Sequence, residues 1–160
     1  VCPIQEYGRT KLLGEQNAID ILGSDVCILR TSVVFDGSSN NFVKWVVDSL
    51  VNESEIKIVE DQWVCPTSTK YISESIIDLI NYEFKGIVHV SSQPKLSRFA
   101  IARRISEILG LPESQILPIT MDELNWSARR PRDSSLDCSR LGGIRELSTF
   151  EEMFCDQNLV

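Results

Sequence analysis

Helical and strand-like periodicities alternate along this chain, and that alternation limits the fold more tightly than any other feature of its 160 residues. From Tyr7 to about Leu22, Leu12, Leu13, Ala18, Ile19 and Leu22 recur at helical spacing, and Gly23 supplies a natural stop. The run "DVCILRTSVVF" follows, bounded by Asp25 and by Asp36-Gly37. It is short, β-rich and apolar, which predicts a buried, parallel strand. "NNFVKWVVDSLVN" returns to helical spacing with Phe42, Val43, Val46, Val47 and Leu50 inward, and "EIKIVED" alternates as a short strand. "PTSTKYISESIIDLINY" predicts a helix capped by Thr67, Ser68 or Thr69, with Ile72, Ile76, Ile77 and Ile80 facing the core. "GIVHVSS" predicts a strand. Ser97 then caps the helix "RFAIARRISEIL", which stops at Gly110. Beyond Leu111, Pro112, Pro118 and Pro131 break the pattern, leaving "MDELNW" and "LDCSRL" as short helices. Strands interleaved with helices require crossovers, so the expected class is α/β with a mainly parallel sheet.

Composition excludes several roles. Acidic residues outnumber basic ones 23 to 16, and the net charge of −7 argues against nucleic-acid binding, which needs a basic footprint. No run of 18 apolar residues is present, so no membrane span is expected. The five cysteines are scattered singly without a C-x-x-C pair, a pattern expected of reduced thiols in a cytoplasmic protein. A lone histidine argues against a metal site, and none is expected; His89, inside "GIVHVSS", reads as a hydrogen-bonded strand residue. The chain opens on Val1 rather than methionine and enters helix-like sequence by Tyr7, which reads as a piece of something longer.

Chemistry concentrates in "EYGRTKLLGE", where Tyr7 and Lys11 stand four positions apart. On a helix those positions share one face. A positive charge beside a phenol favours the phenolate, and a phenol so tuned exchanges protons as a carbonyl–alcohol interconversion requires. The same ammonium has donors for a ribose. Spacing alone is equally consistent with a solvent-facing tyrosine beside a lysine.

"YGRTKLLGEQ" resembles the active-site helix of the extended short-chain dehydrogenases/reductases, where Tyr-x-x-x-Lys is the catalytic pair. The likeness continues in order through "LRTSVVF" and "NNFVKWVV". "VEDQWVCPTST", "GIVHVSS", "SRFAIARRI" and "ARRPRDSSLDCSRL" resemble the dTDP-4-dehydrorhamnose reductase branch. The resemblance implies the carboxyl-terminal part of a Rossmann-like parallel sheet plus a small substrate-binding lobe, with residues 1–160 as one portion of a larger reductase domain. It implies NADPH or NADH as cofactor, a nucleotide-sugar substrate reduced at a 4-keto group, and a possible homodimer. Tyr7 would be the general acid, and Lys11 would hold the nicotinamide ribose. Thr31 and Ser32 would lie near the nicotinamide. Asn41, Gln62, Trp63 and Thr67 would line the nucleotide-sugar cleft.

Two positions depart from the branch's pattern: Val33 replaces a frequent tryptophan, and Val64 a glycine. The second would put a branched side chain where backbone approaches substrate. The basic cluster Arg129, Arg130 and Arg132 suits a diphosphate, but a solvated turn paired with Asp133 and Asp137 is the favoured expectation. None of the eight glycines forms G-x-x-G-x-x-G or G-x-G-x-x-G, so the dinucleotide cradle is expected to lie outside these residues. The tail "LPESQILPIT…RPRDSSLDCSRL" also resembles the regulatory β subunit of methionine adenosyltransferase, which keeps a non-catalytic binding role open.

Overall fold

The computed structural model describes residues 2–38 and 40–157. Helix α1 spans Glu6–Leu22 and leads into strand β1, Cys27–Arg30, and β2, Val34–Phe35. Helix α2 (Phe42–Val51) connects to β3 (Ile56–Val59), β4 (Trp63–Val64) and β5 (Thr67–Ser68). Helix α3 (Thr69–Asn81), β6 (Gly86–His89), β7 (Leu96–Ser97), α4 (Arg98–Leu109) and β8 (Ile116–Ile119) follow, then the short helices α5 (Ser139–Gly142) and α6 (Phe150–Cys155).

The expected α/β class holds, and three of the four ladders are parallel: β1 with β6, β2 with β5 and β3 with β8. The fourth, β4 with β7, is antiparallel. The run expected as one strand over 25–35 divides in two because Val33 takes a φ of 42°, a left-handed conformation that ends extended pairing. β1 then meets β6, while β2 turns to β5. Pro118 stands opposite Ile58 in β8, a strand the proline-broken pattern concealed. Proline has no amide hydrogen to donate, so it suits a strand on an edge.

The core collects around α2 and α4, where Val43, Val46, Val47, Leu50, Ile101 and Ile105 are fully buried. Phe150 meets Phe35 edge-on, with ring centroids 5.7 Å apart. Its helix, α6, carries a capping box: the Thr149 side chain accepts from the Glu152 amide, and the Glu152 carboxylate from the Thr149 amide.

Helix α3 overturns one expectation. Its buried residues are Tyr71, Ser75 and Leu79, whereas Ile76, Ile77 and Ile80 are exposed and Ile72 is half-buried. Tyr71 fixes this rotation by burying its ring beneath Arg145, whose guanidinium carbon lies 4.4 Å from the ring centroid. Arg145 in turn bonds Glu74 and Asp78. Helix α1, meanwhile, buries no residue at all. It is tied to β1 by a two-pronged pair, Arg30 Nε and Nη2 donating to the Glu15 carboxylate at 2.8 and 2.5 Å.

Candidate active site

A cleft of about 490 Å³ opens between the start of α1, the start of α2, β3 and the turn before Ser134. That volume falls within the usual range for small-molecule sites. Tyr7 stands on its wall, 66% exposed, with the Lys11 ammonium 5.3 Å from its ring centroid. The four-residue spacing on α1 places that ammonium against the ring, as helical geometry requires. Among the described residues no carboxylate pairs with Lys11, which leaves its donors free.

Gln62 also lines the cleft, buried to 5% exposure, and both ends of its amide are engaged. Its Oε1 accepts from Arg98 Nε at 2.6 Å, and its Nε2 donates to the Pro131 carbonyl at 3.2 Å. Those partners settle the orientation of the amide. Arg98 sits over Phe42, 4.5 Å from guanidinium carbon to ring centroid. Across the cleft Arg130 stacks on Trp126 at 5.6 Å. With Lys57 these make three cations, and among the described residues no acidic side chain lines the space. Burial first, and then the charge of Arg130, holds the Arg98 guanidinium below its ordinary pKa.

The remaining candidates fall elsewhere. Asn41 caps α2, accepting from the Lys44 amide and donating to the Asp36 carbonyl. Thr67 is fully buried, and its hydroxyl donates to the Ser32 carbonyl at 2.9 Å, joining β5 to the turn after β1. Trp63 is outside the cleft, under Lys95, and its main chain bonds Arg132 and Ser134. Thr31 and Ser32 follow the carboxyl end of β1, Thr31 exposed and Ser32 half-buried, and neither lines the cleft.

Neither departure lines the cleft. Val64 is 1% exposed and Val33 packs against the core. The basic turn also differs from expectation, because Arg132 pairs with Asp61 and Asp122 rather than with Asp133 or Asp137. Asp133 instead binds Lys95 and is held down at about 2, chiefly by that bond. His89 accepts its strand role, its Nδ1 meeting the Asp137 carbonyl at 2.9 Å.

In the sequence Phe42 and Arg98 read only as helix residues and Arg130 as part of a basic turn, and none of them is placed with Trp126. They come from three separate segments, α2, α4 and the stretch over 126–130, and only the fold assembles them.

A family model described as the RmlD substrate binding domain matches residues 1–153. A dTDP-4-keto-6-deoxy-D-glucose reductase of Streptomyces niveus is 31% identical over 144 residues, covering 89% of this chain and 50% of that protein. The methionine adenosyltransferase 2 subunit beta of Bos taurus is 29% identical over 150 residues, covering 87% of this chain and 44% of its own. Among solved structures, the dTDP-4-dehydrorhamnose reductase of Bacillus anthracis, in complex with NADP, superposes with a TM-score of 0.85 at 31% identity. That match covers 95% of this chain and 54% of the other. The chain thus spans about half the length of the relatives it matches. With three ladders parallel, a Tyr–Lys pair on the first helix and a profile match over nearly its whole length, this chain belongs to the RmlD substrate-binding-domain family.

Proposed function

We propose that the chain serves NAD(P)H-dependent reduction of a nucleotide-linked 4-keto sugar in the cytoplasm. It would supply the substrate lobe and the catalytic Tyr7–Lys11 pair of a larger reductase domain. The observation that carries this reading is the placement of Tyr7 on the wall of a basic, aromatic cleft with Lys11 against its ring.

The residues present fit one end of the cofactor. Lys11 has free donors for the hydroxyls of a nicotinamide ribose, and Thr31 offers an exposed hydroxyl just past β1, where open parallel sheets bind ligands. No glycine-rich stretch cradles a pyrophosphate, so that part of the site belongs to a portion outside these 160 residues. The bound cofactor supplies hydride. Tyr7 gives its hydroxyl proton to the carbonyl oxygen of the sugar, turning it into an alcohol. Lys11 holds the ribose and keeps a positive charge beside the phenol as that proton leaves.

Tyr7→Phe in the full-length protein tests the assignment. The ring stays and one exposed hydroxyl goes, so fold and cofactor affinity should stay near wild type. Turnover of a dTDP-4-keto-6-deoxy sugar with NADPH should fall by about 10²–10⁴, the usual worth of a positioned general acid. Turnover at the wild-type rate would remove Tyr7 from catalysis. The non-catalytic reading, which the likeness to the bovine β subunit supports, would then take its place.

A further inference from the structure

We propose that Arg98 is the diphosphate-holding residue of the cleft and that Gln62 is its positioning residue. This rests on the reading of the cleft as a nucleotide-sugar site, and it names the side chain that meets the charged middle of that ligand.

Arg98 and Arg130, the two arginines of the cleft, meet no carboxylate among the described residues, and Arg98 is the one that also bonds a neighbouring side chain. Arg9, Arg30, Arg103, Arg104, Arg132 and Arg145 each meet a carboxylate. Arg98 is half-buried and faces Arg130 across the cleft, yet its terminal nitrogens meet no carboxylate among the described residues. A cation withdrawn from water beside a second cation is costly unless an anion joins it. In a chain of net charge −7, three cations and no acid around one space favour an anionic occupant.

The guanidinium is also held on two sides. Phe42 covers a face, and Gln62 Oε1 takes the Nε hydrogen at 2.6 Å. The Gln62 main-chain carbonyl accepts from the Arg98 amide at 3.0 Å, and the Pro131 carbonyl fixes the far end of its side chain. What remains is the outer edge of the fork, Nη1 and Nη2, whose donors match paired phosphate oxygens. Gln62 does not need to touch the ligand. Its work is to aim Arg98.

Titration calorimetry of the full-length protein with dTDP, and with thymidine as the probe lacking phosphate, tests both parts. Wild type should bind dTDP more tightly than thymidine. Arg98→Met should weaken dTDP about 10–100-fold and leave thymidine unchanged, the range expected for charge-assisted hydrogen bonds. Arg98→Lys keeps the charge and loses the fork, so an intermediate loss is expected; it also serves if the methionine variant fails to fold. Gln62→Leu should weaken dTDP by about 3–10-fold alone, and by nothing further in the Arg98→Met background, because it acts through Arg98. Equal affinity of wild type for dTDP and thymidine, or an undiminished dTDP affinity in both Arg98 variants, overturns the diphosphate assignment. A Gln62→Leu loss that persists in the Arg98→Met background overturns the positioning role. Neither result bears on Tyr7, which is read by turnover.

Discussion

Thr67 shows how a residue type suited to binding is diverted into structure. Its hydroxyl has one hydrogen to give, and the Ser32 carbonyl takes it at 2.9 Å inside the protein. Thr67→Val keeps the shape and leaves that carbonyl without its donor. The expected cost is about 1–2 kcal/mol of unfolding free energy, measured in urea melts, with KM for a nucleotide sugar unchanged. A change in KM with stability intact would return Thr67 to the cleft. Asn41 is similarly engaged, its side chain closing the first turn of α2. Both residues sit next to helix starts, where such side chains are strongly favoured whatever the protein does. Residue type therefore pointed to segments where these side chains carry structural bonds.

Helix α1 carries the proposed catalytic pair, yet it is the least anchored of the long helices. With no buried residue, it depends on the Glu15–Arg30 pair for its tie to β1. The Arg30 hydrogen bond holds the Glu15 carboxyl below its ordinary 4.5. A carboxyl depressed in the folded state contributes stability that is present above the unfolded pKa and lost as pH falls through the folded one. Amide hydrogens of α1 should therefore exchange faster than those of α2 and α4, and the gap should widen on acidification below about pH 4.5. Glu15→Gln should produce the same loosening at neutral pH, about 5-fold for a pair worth about 1 kcal/mol. Uniform protection across the three helices in that variant would mean that other contacts hold α1. Helix α3 shows the opposite balance: its isoleucines promise one buried face, but Tyr71 and Leu79 turn a different one inward.

At the scale of the whole molecule, an apolar groove lies beside strand β1. Strand β1 pairs only with β6 among the described residues, so its other edge is open. Cys27 and Leu29 on that strand, with Ile76, Ile80 and Phe84, line a groove of about 390 Å³. Ile80 is 68% exposed there, and Ile21 and Leu22 are exposed on α1. An open edge beside apolar side chains is a template for pairing with another copy. Light scattering should report a mass above that of one chain at micromolar concentration. Ile80→Lys should shift it toward monomer without lowering the melting temperature. A clean monomer for the unmodified chain would show that this side does not self-associate.

Local order in the chain was written in its neighbours. Periodicity and caps act within one or two turns, so α1, α2, α4 and the strands at 27–30, 56–59 and 86–89 followed from sequence, as did the Tyr7–Lys11 face. The TFEE segment at 149–152 held a readable capping box that the broken pattern around it obscured. The rest needed distant partners. Gln62 meets Arg98 across 36 positions and Pro131 across 69, and no local rule encodes either. The inward face of α3 waits on Arg145, and the cleft's cations come from separate elements. Short-range spacing is a property of the backbone helix itself, whereas a cleft is made by how elements pack, and packing depends on every surface at once.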